Sequence, residues 1–490
     1  MRRCFVTKEK AMEFVTEQAK NIPVIDEADV VVVGGGPGGL PAAVAAARLG
    51  AKTVLIERYG VLGGLATTGL MGPFYGYAPV GRALYHTDRS NLDKKECILG
   101  GIPVELVDRL QKIGGAFARD HKDFLWESVR FDPELFKFVC DDIVVDSGAK
   151  VILHAWGVGT IMNGRKIDAI IIESKSGRAA IRGKVFIDGT GDGDVAWLSG
   201  CSYDKGRPGD GKTLSMGSRF RMGGLRKRTA DEYKECERIT RRGIAEGALE
   251  CMNESDFRDN GSSLRETDTC PDITRSPGDG TNVFDLTRCE LDIRKQTLNI
   301  VQYMRDHVPG FQDSFLIDSP AQVGVRETRQ IHGRYTLSTE DVVNVKKFPE
   351  STIARGCWFL DMHCCMGYHH PGPFMDAICS VNCKVDQPCI LHTEKYKHLA
   401  PTVSHLPKGE YFDIPFGCLV AKDVDNLLVS GRCISSSHEA MSSIRVIATC
   451  FAIGEAAGVG AALSCKNDVT PGNMDVGRIQ SVLRDNGVPL

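Results

Sequence analysis

The sequence predicts an α/β fold in which a parallel sheet, extended by an antiparallel β-meander, carries an inserted α+β region. Three observations predict this fold. Residues 30–57 hold an apolar run, a glycine turn, a stretch of small residues with helical character and a second apolar run. Residues 151–188 hold apolar segments separated by turn residues. Residues 411–463 then return to short apolar segments and a long apolar helix, so the charge-rich stretch between them is predicted to be an insertion.

The first segment, from Val30 to Glu57, has the order of a dinucleotide-binding domain. Gly34, Gly36 and Gly39 have the GxGxxG spacing, which allows a tight turn, admits a pyrophosphate to the backbone and lets helix and strand pack closely. The carboxylate of Glu57 ends the second strand, where it can accept hydrogen bonds from a ribose and would repel a 2′-phosphate. An ordinary strand-to-helix turn is the alternative, but the complete order favours a Rossmann-like domain that binds FAD or NAD.

Length and composition limit the class of protein. A chain of 490 residues is predicted to contain two or three structural regions. The near balance of 60 basic and 63 acidic residues gives no sign of a surface for nucleic acid or for anionic membranes. The uncharged stretch 30–47 is long enough to span a membrane, but its glycines and prolines would break a continuous helix. Eighteen cysteines with no CxxC spacing and no export signal indicate reduced thiols and a cytoplasmic protein.

We predict four regions along the chain. The first region is expected to be a helix, capped near Thr7, and a linker, since no long apolar run follows the basic N-terminal residues. The regions are 1–28 for this helix and linker, 29–200 for the first part of the nucleotide domain, 201–410 for the substrate region and 411–490 for the second part of the nucleotide domain.

Turn and cap residues predict the elements of the first half. The loop after Glu57 holds small residues that would let a flat ligand approach the backbone, although a plain surface loop is equally compatible. Asp132 and Pro133 are a helix N-cap and first-turn pair, and the turns at 163–164 and 175–177 predict two hairpins. The last of these strands ends in a glycine and acid cluster, and ligands bind at such strand ends in open α/β sheets.

In the second half, residues 286–307 are predicted to be helical, and short strands are predicted at 411–419 and 426–430. A long helix is expected from about Arg445 to Leu463, with Ser442 and Ser443 as caps.

Four segments together resemble the FAD-dependent oxidoreductases of the glutathione-reductase-like superfamily. They are the glycine turn at 30–58, GGLATTG at 63–69, FIDGTGDGDVA at 186–196 and the C-terminal stretch from DIPFGCLV at 413–420 to GEAAG at 454–458. The segment VGVRETRQIHGRYTL at 323–337 is also similar to this family. The resemblance spans nearly the whole chain and implies FAD as the cofactor.

The resemblance also implies where FAD binds. Adenosine is expected at the second strand and the hairpin near residue 155, the pyrophosphate over the glycine turn, and the flavin ring at GGLAT and the loop before the last long helix. The implied cofactor-binding residues are Gly34, Gly36, Pro37, Gly38, Gly39, Glu57, Arg58, Gly63, Gly64, Leu65, Ala66, Thr67, Ala155, Gly189, Thr190, Gly191, Asp192, Gly431, Arg432, Ser443, Ile444 and Arg445.

Residues 356–389 are unusually rich in cysteine and histidine and have three interpretations. Thiolates and imidazoles could ligate a metal or an iron–sulfur cluster, but the spacings match no familiar site, so no metal ligand is predicted. An imidazole or thiol could serve substrate chemistry, or the cysteines could pack as small hydrophobic residues, which is favoured. These residues are Cys357, His363, Cys364, Cys365, His369, His370, Cys379, Cys383 and Cys389.

The candidate catalytic residues are His369, His370, His438 and Arg326. A proline-stiffened loop would hold the first two over a ring, and His438 follows three serines near the expected flavin. Arg326, Glu327 and Arg329 could bind an anionic substrate or form an ion-pair cluster beneath the domain interface, and the ion pair is favoured.

The leading hypothesis is an FAD-dependent oxidoreductase that transfers a hydride between flavin N5 and a small organic substrate. Two alternatives are an electron-transfer subunit that uses the cysteine-rich segment with a redox partner, and an RNA-modifying flavoprotein, which the charge balance disfavours. Neither nucleic acid nor a membrane is expected as a partner, and the sequence leaves the oligomeric state open.

Overall fold

The computed structural model describes residues 14–79, 97–119, 121, 127–250, 263–365, 406–407 and 409–490. Its strands, in chain order, are β1 Val24–Val33, β2 Thr53–Ile56, β3 Phe74–Tyr75, β4 Ser128–Val129, β5 Lys150–Ile152, β6 Trp156–Asn163, β7 Lys166–Ser174, β8 Gly177–Asp188, β9 Tyr203–Lys205, β10 Arg221–Gly223, β11 Asp268–Thr269, β12 Phe315–Asp318, β13 Arg329–Ile331, β14 Thr352–Gly356, β15 Phe412–Pro415 and β16 Leu427–Val429. Its helices are α1 Gly39–Arg48, α2 Ile102–Lys112, α3 Pro133–Ser147, α4 Asp194–Leu198, α5 Ala230–Ala245, α6 Val283–His307, α7 Thr339–Val343, α8 His438–Ile444, α9 Ile447–Asn467 and α10 Val476–Asp485.

A seven-stranded sheet positions the site. Its order is β5-β2-β1-β8-β7-β6, and β16 also pairs with β8. The first half of β8 pairs antiparallel with β7, while its second half lies parallel between β1 and β16. The registers bring the ends of the parallel strands together: Val33 lies beside both Ile56 and Asp188, and Asp188 lies beside Val429. The predicted parallel sheet with an antiparallel meander is therefore confirmed, and its carboxyl edge is where a ligand is expected.

Local signals in the sequence account for several elements. Asp132 caps α3 by accepting a hydrogen bond from the backbone N–H of Glu134 at 2.9 Å. The predicted hairpins join β6 to β7 and β7 to β8 in the expected places, and Gly164 has the positive φ, +58°, that its turn requires. The predicted helix at 286–307 is the greater part of α6.

Two predicted elements differ from the structure. Residues 14–23 form neither helix nor strand, and β1 begins at Val24, so part of the predicted linker is sheet. Ser442 and Ser443 do not cap the long helix, because they lie inside the separate helix α8, whose N-cap is Ser437. The chain turns at Arg445 and Val446, and α9 begins at Ile447.

Helix α9 is the central helix of the larger core. It is apolar and long enough to cross a membrane, but 94% of its most apolar window is buried inside the fold. A Cβ atom on Gly454 would lie 2.4 Å from the carbonyl oxygen of Gly38, and one on Gly458 would lie 2.2 Å from that of Ala42. These two glycines let α9 pack directly on α1 and on the turn before it.

The described chain has two main apolar cores. The larger core joins the seven-stranded sheet to α1, α2, α3, α9 and α10, and it also takes in residues from Ile331 to Leu360. A smaller core lies between β10, α5 and α6 of the inserted region, from Phe220 to Phe311. Residues 322–331, which we call the crossing segment, run from a small apolar cluster that includes Val323 to Ile331 in the larger core.

A buried carboxyl in α9 yields a prediction about stability. Burial raises the pKa of Glu455 to about 7, from 4.5 in the unfolded chain. The folded state therefore holds the proton more tightly, and this group lowers stability as the pH rises from about 4.5 to about 7. We expect Glu455→Gln to raise Tm more at pH 8 than at pH 5. The corresponding gain in the free energy of unfolding at pH 8 is of the order of 3 kcal/mol at most.

Thermal melts at the two pH values test this expectation, and equal gains at both would contradict it. Glu105→Gln is the matched control, because hydrogen bonds from Arg48 lower the pKa of Glu105. A lowered pKa stabilises the fold at higher pH, so this control is expected to lose stability at pH 8.

Candidate functional site

A cleft runs along the carboxyl edge of the parallel strands. Six parts of the chain line it: the glycine turn with the end of β2, the loop at residues 64–65, the start of β6, the turn after β8, the crossing segment and the region from β16 to α9. The lining residues are Val33, Gly34, Gly36, Pro37, Gly38, Ile56, Glu57, Arg58, Tyr59, Gly64, Leu65, Ala155, Trp156, Gly157, Gly189, Thr190, Gly191, Asp192, Asp194, Gln322, Val323, Val325, Ser430, Gly431, Arg432, Arg445, Ile447 and Cys450.

The three glycines of the turn have different steric surroundings. Gly34 has φ +98°, and a Cβ there would lie 2.5 Å from the carbonyl oxygen of Gly189. A Cβ on Gly39 would lie only 1.8 Å from the carbonyl oxygen of Gly34. At Gly36 the nearest protein atom to such a Cβ is 3.6 Å away, the Cα of Gly64. Gly34 and Gly39 are therefore required by the protein's own packing, whereas the side of Gly36 is open for a ligand.

Glu57 follows β2 and lines the cleft, at the end where the resemblance predicts the adenosine. Its Oε2 accepts a hydrogen bond from the N–H of Gly35 at 2.7 Å, and its Oε1 accepts one from the N–H of Tyr59 at 2.9 Å. Burial raises the pKa of this carboxyl. Each oxygen retains a lone pair, so the fixed carboxylate can also accept from ribose hydroxyls.

Aromatic and basic side chains complete this end of the cleft. The guanidinium of Arg58 lies 4.9 Å from the ring centre of Tyr59 and 5.9 Å from that of Trp156. Trp156 is 56% exposed and lies in the hairpin at 154–157 that was expected near the adenine, although only its neighbour Ala155 was named as a binding residue. A tryptophan on the first residue after a turn, beside a predicted adenosine site, is the signal that could have found it.

The turn after β8 is organised by Asp188 and Arg432. Asp188 is fully buried and accepts hydrogen bonds from the hydroxyl and N–H of Thr190 and from the N–H of Ala196. Burial raises the pKa of Asp188 to about 6. Arg432 donates to Asp192 at 2.5 Å, to the carbonyl of Gly191 and, at 3.1 Å, to the carbonyl of Val325. Arg432 thus ties the β8 turn to the crossing segment.

Some predicted cofactor residues lie behind the cleft lining. Ser443 is buried and donates a hydrogen bond to the carbonyl of Trp358, and Ile444 is fully buried in the larger core. Thr67 bonds the carbonyl of Leu62 at 2.7 Å, so it holds the loop that presents Gly64 and Leu65. Gly63, Ala66 and Gly39 likewise shape the walls without lining the cleft.

The crossing segment carries a buried ionisable side chain, Glu327, that pairs with His438. Val325 lines the cleft, and two residues later Glu327 is 1% exposed. Its Oε1 lies 2.7 Å from Nδ1 of His438, and its Oε2 accepts a hydrogen bond from the N–H of Leu214 at 2.8 Å. Burial by itself would lower the pKa of His438, but the Glu327 carboxylate and the Cys365 thiol raise it to about 10. His438 is therefore a protonated imidazole at neutral pH.

Arg326 belongs to a second group of buried charged side chains, which is centred on Asp272. Its Nη2 lies 3.5 Å from Asp272, which also contacts Arg275 at 2.6 Å. The neighbouring Arg329 pairs with Asp194 at 2.9 Å, so the ion-pair interpretation holds for that residue. Asp272 was not identified from the sequence, and Glu327, which was expected to pair with the arginines beside it, bonds His438 instead, because only the fold brings these side chains together.

The cysteine- and histidine-rich segment is described only as far as Cys365. Cys357 is 3% exposed and its thiol donates to the carbonyls of Gly76 and Ala78, in agreement with a packing role. No disulfide and no cluster of three or more metal-ligating side chains occurs within the described ranges. His369 and His370, with Cys379, Cys383 and Cys389, lie outside those ranges, so their predicted roles and the electron-transfer alternative stay predictions.

The fold and the cleft define a dinucleotide-binding α/β protein with an inserted region against the end of its cofactor cleft. The chain belongs to the FAD dependent oxidoreductase family, whose profile matches residues 29–483. This match confirms the predicted family and FAD as the cofactor. The open side of Gly36, the fixed carboxylate of Glu57 and the N-terminus of α1 over the turn fit FAD bound in an extended form.

Curated relatives match shorter stretches of the chain. Leghemoglobin reductase from Glycine max is 67% identical over 39 residues, 8% of each protein. Mitochondrial dihydrolipoyl dehydrogenase from Pisum sativum is 31% identical over 182 residues, which are 37% of this chain and 31% of that enzyme. The chain thus covers less than a third of the length of these relatives.

Solved structures resemble the chain over more of its length. A geranylgeranyl bacteriochlorophyll reductase-like protein from Thermoplasma acidophilum has a TM-score of 0.43 at 12% identity, covering 94% of this chain and 84% of that one. The myxobacterial chondrochloren halogenase has a TM-score of 0.41 at 11% identity, covering 93% and 78%.

Proposed function

We propose that this FAD-dependent oxidoreductase transfers a hydride between its flavin and a small organic substrate, and that His438 moves the accompanying proton. Bound FAD supplies hydride exchange at its N5 atom. The substrate is expected at the end of the cleft, between Arg445 and the inserted region. The observation that carries the proposal is the buried pair of His438 and Glu327. Glu327 lies two residues after Val325, which lines the cleft.

The position of His438 supports a role at this end of the cleft. His438 is the first residue of α8 and Arg445, which lines the cleft, is its C-cap, so about 10 Å of helix separates them. An imidazolium held by a carboxylate is a proton donor when the substrate gains a proton and its neutral form is an acceptor in the reverse direction. Since Glu327 and His438 are almost fully buried, water is excluded from the proton that they hold.

The purified protein tests the proposal directly. We expect a flavin absorbance spectrum and one FAD released per chain on denaturation. Anaerobic mixing with a panel of alcohols, amines and sugars is expected to bleach the flavin with at least one of them, or else an enoate is expected to reoxidise the chemically reduced protein. A preparation that takes up no FAD, or a flavin that responds to no member of the panel in either direction, would contradict the proposal.

A further inference from the structure

A buried group of arginines lies where the inserted region meets the crossing segment. We call it the arginine cluster and define it as Arg219, Arg275, Arg326 and Arg445, with the acids Asp272 and Asp361. Arg275 and Arg326 come from different parts of the chain and are 1% and 3% exposed. Burying a guanidinium is costly unless carboxylates and hydrogen-bond acceptors compensate for the lost water.

The described carboxylates compensate for only part of this positive charge. Asp272 contacts three arginines: Arg275 at 2.6 Å, Arg326 at 3.5 Å and Arg219 at 3.7 Å. The second acid, Asp361, pairs with Arg445 at 2.7 Å. Within the described part of the chain, Arg275, Arg326 and Arg445 therefore share two carboxylates, one of which also contacts Arg219.

The neighbouring histidine does not change this balance. Nε2 of His363 lies 3.3 Å from Asp361. Burial, together with the positive charge of Arg326, lowers the pKa of His363 to about 3, so this ring is neutral at pH 7. Burial and the adjacent Arg275 also lower the pKa of Arg326 well below its usual value.

Several donors of the cluster have no acceptor among the described residues. They are Nε and Nη2 of Arg275, Nε of Arg326 and Nε of Arg445, all of them buried. Donors of this kind that remain without an acceptor are destabilising, and a structural ion-pair network would satisfy them. The cluster therefore has both the charge and the free donors that an oxyanion would complement.

A glycine allows the two most buried arginines to lie side by side. A Cβ on Gly217 would lie 2.8 Å from Nη1 of Arg326 and 2.9 Å from Nη1 of Arg275. Such a Cβ would also lie 2.5 Å from the backbone carbonyl oxygen of Thr274, so the backbone as well as the two guanidiniums requires glycine here. On the other side of the cluster, Arg445 lines the cofactor cleft, so an anion held there would lie beside the end of that cleft.

We propose that the arginine cluster binds the carboxylate of the substrate, which makes the substrate of this oxidoreductase a small organic acid. The inference rests on the proposed function, because it names the substrate class of the same site. The guanidiniums of Arg275 and Arg326, with that of Arg445 at the cleft wall, suit a planar carboxylate. A carboxylate can accept two N–H groups from one arginine.

The test measures binding to the oxidised holoenzyme in the absence of turnover. Small mono- and dicarboxylic acids, their amides and inorganic phosphate are titrated while Tm and the flavin difference spectrum are recorded. We expect the acids to raise Tm and perturb the spectrum, and the matched amides to do neither. A response to phosphate alone, or an equal response to acids and amides, would overturn the assignment.

Variants separate an anion site from a structural ion pair. Arg326→Gln, and independently Arg275→Gln, are expected to weaken acid binding by about 10- to 100-fold, while Tm without ligand stays unchanged or rises because an uncompensated charge is removed. Arg221→Gln is the matched control, since Arg221 is partly buried in β10 and pairs with Asp318. This control is expected to lower Tm and to leave acid binding intact.

The two proposals fail in different ways. If Arg326→Gln and Arg275→Gln both lower Tm as the control does and the wild-type protein binds no acid, the cluster is structural and the inference is wrong. A flavin that is bleached only by uncharged compounds would also contradict the inference, while leaving the proposed function intact. Acid binding without any flavin reduction or reoxidation would instead support the inference and contradict the proposed function.

Discussion

Gly39→Ala is expected to abolish FAD retention and to destabilise the apoprotein, whereas Gly36→Ala is expected to weaken FAD binding alone. The added Cβ at position 39 would lie 1.8 Å from the carbonyl oxygen of Gly34, so α1 would have to move away from the turn. Overpacking of this kind costs about 1–3 kcal/mol, and the displaced helix would no longer present its N-terminus to the pyrophosphate.

The Gly36→Ala variant separates FAD binding from protein stability more clearly than Gly39→Ala does. Its Cβ meets only the Cα of Gly64, at 3.6 Å, and Gly36 does not have a positive φ, so the protein itself tolerates the change. The methyl group would occupy the space that the pyrophosphate needs. We expect an unchanged apoprotein Tm and an FAD affinity at least about 10-fold weaker, since a clash with a bound ligand acts on binding alone.

Melting of the apoproteins and titration with FAD by fluorescence quenching measure both effects. Full FAD affinity in Gly36→Ala would place the pyrophosphate away from this turn. An unchanged Tm in Gly39→Ala would contradict the close packing of α1 on the turn.

Much of the dinucleotide-binding part of the cleft could be predicted from the sequence, because the sequence signals for it are local. The glycine spacing, the acid at the end of β2 and the turn after β8 each lie within a few residues of a strand end, and a strand end is where the chain folds back on the cleft. The Asp132 cap and both hairpin turns were predictable for the same reason.

The substrate side could not be predicted in the same way because tertiary packing assembles it. His438 and Glu327 are 111 positions apart, and Arg326 and Asp272 are 54 positions apart. No periodicity links such residues. The error at Ser442 and Ser443 has a related cause: serines are good caps, but the preceding Ser437 begins a helix that takes both of them into its interior.

Glu327→Gln is expected to make His438 neutral at pH 7 and to slow substrate-dependent flavin reduction or reoxidation. Burial alone lowers the pKa of this imidazole, and the negative charge of Glu327 is a main reason why it is raised to about 10. The amide keeps the shape of the carboxylate and can still accept from the N–H of Leu214, but it carries no charge. A proton-transfer group in the wrong protonation state typically costs about 10²- to 10⁴-fold in rate.

Controls separate this effect from damage to the cofactor site. Glu327 does not line the cleft, so the FAD content of Glu327→Gln is expected to equal that of the wild type. Glu439→Gln is the matched control, because Glu439 is the next residue on α8 and bonds Thr339 rather than His438. It is expected to leave the rate and the His438 titration unchanged.

The pH dependence of stability gives an independent readout of the same pair. His438 has a pKa of about 10 in the folded state and 6.5 in the unfolded chain. The stabilisation that this shift provides is complete below pH 6.5 and is lost as the pH rises to about 10. Breaking a buried pair costs about 3–5 kcal/mol when one charge is left behind, and less here because the imidazole can release its proton.

The wild-type protein should therefore exceed Glu327→Gln in Tm most clearly at pH 6.5, and the two should converge near pH 10. Carbon-13 NMR of labelled histidine Cε1 atoms follows the His438 titration directly, with His438→Gln to assign its signal. If His438 stays protonated through pH 8 in Glu327→Gln, or if the Tm difference is the same at both ends of this range, the carboxylate does not hold the proton. A slow variant with a normal titration would then assign the loss of rate to substrate positioning, because the charge state of His438 would be unchanged.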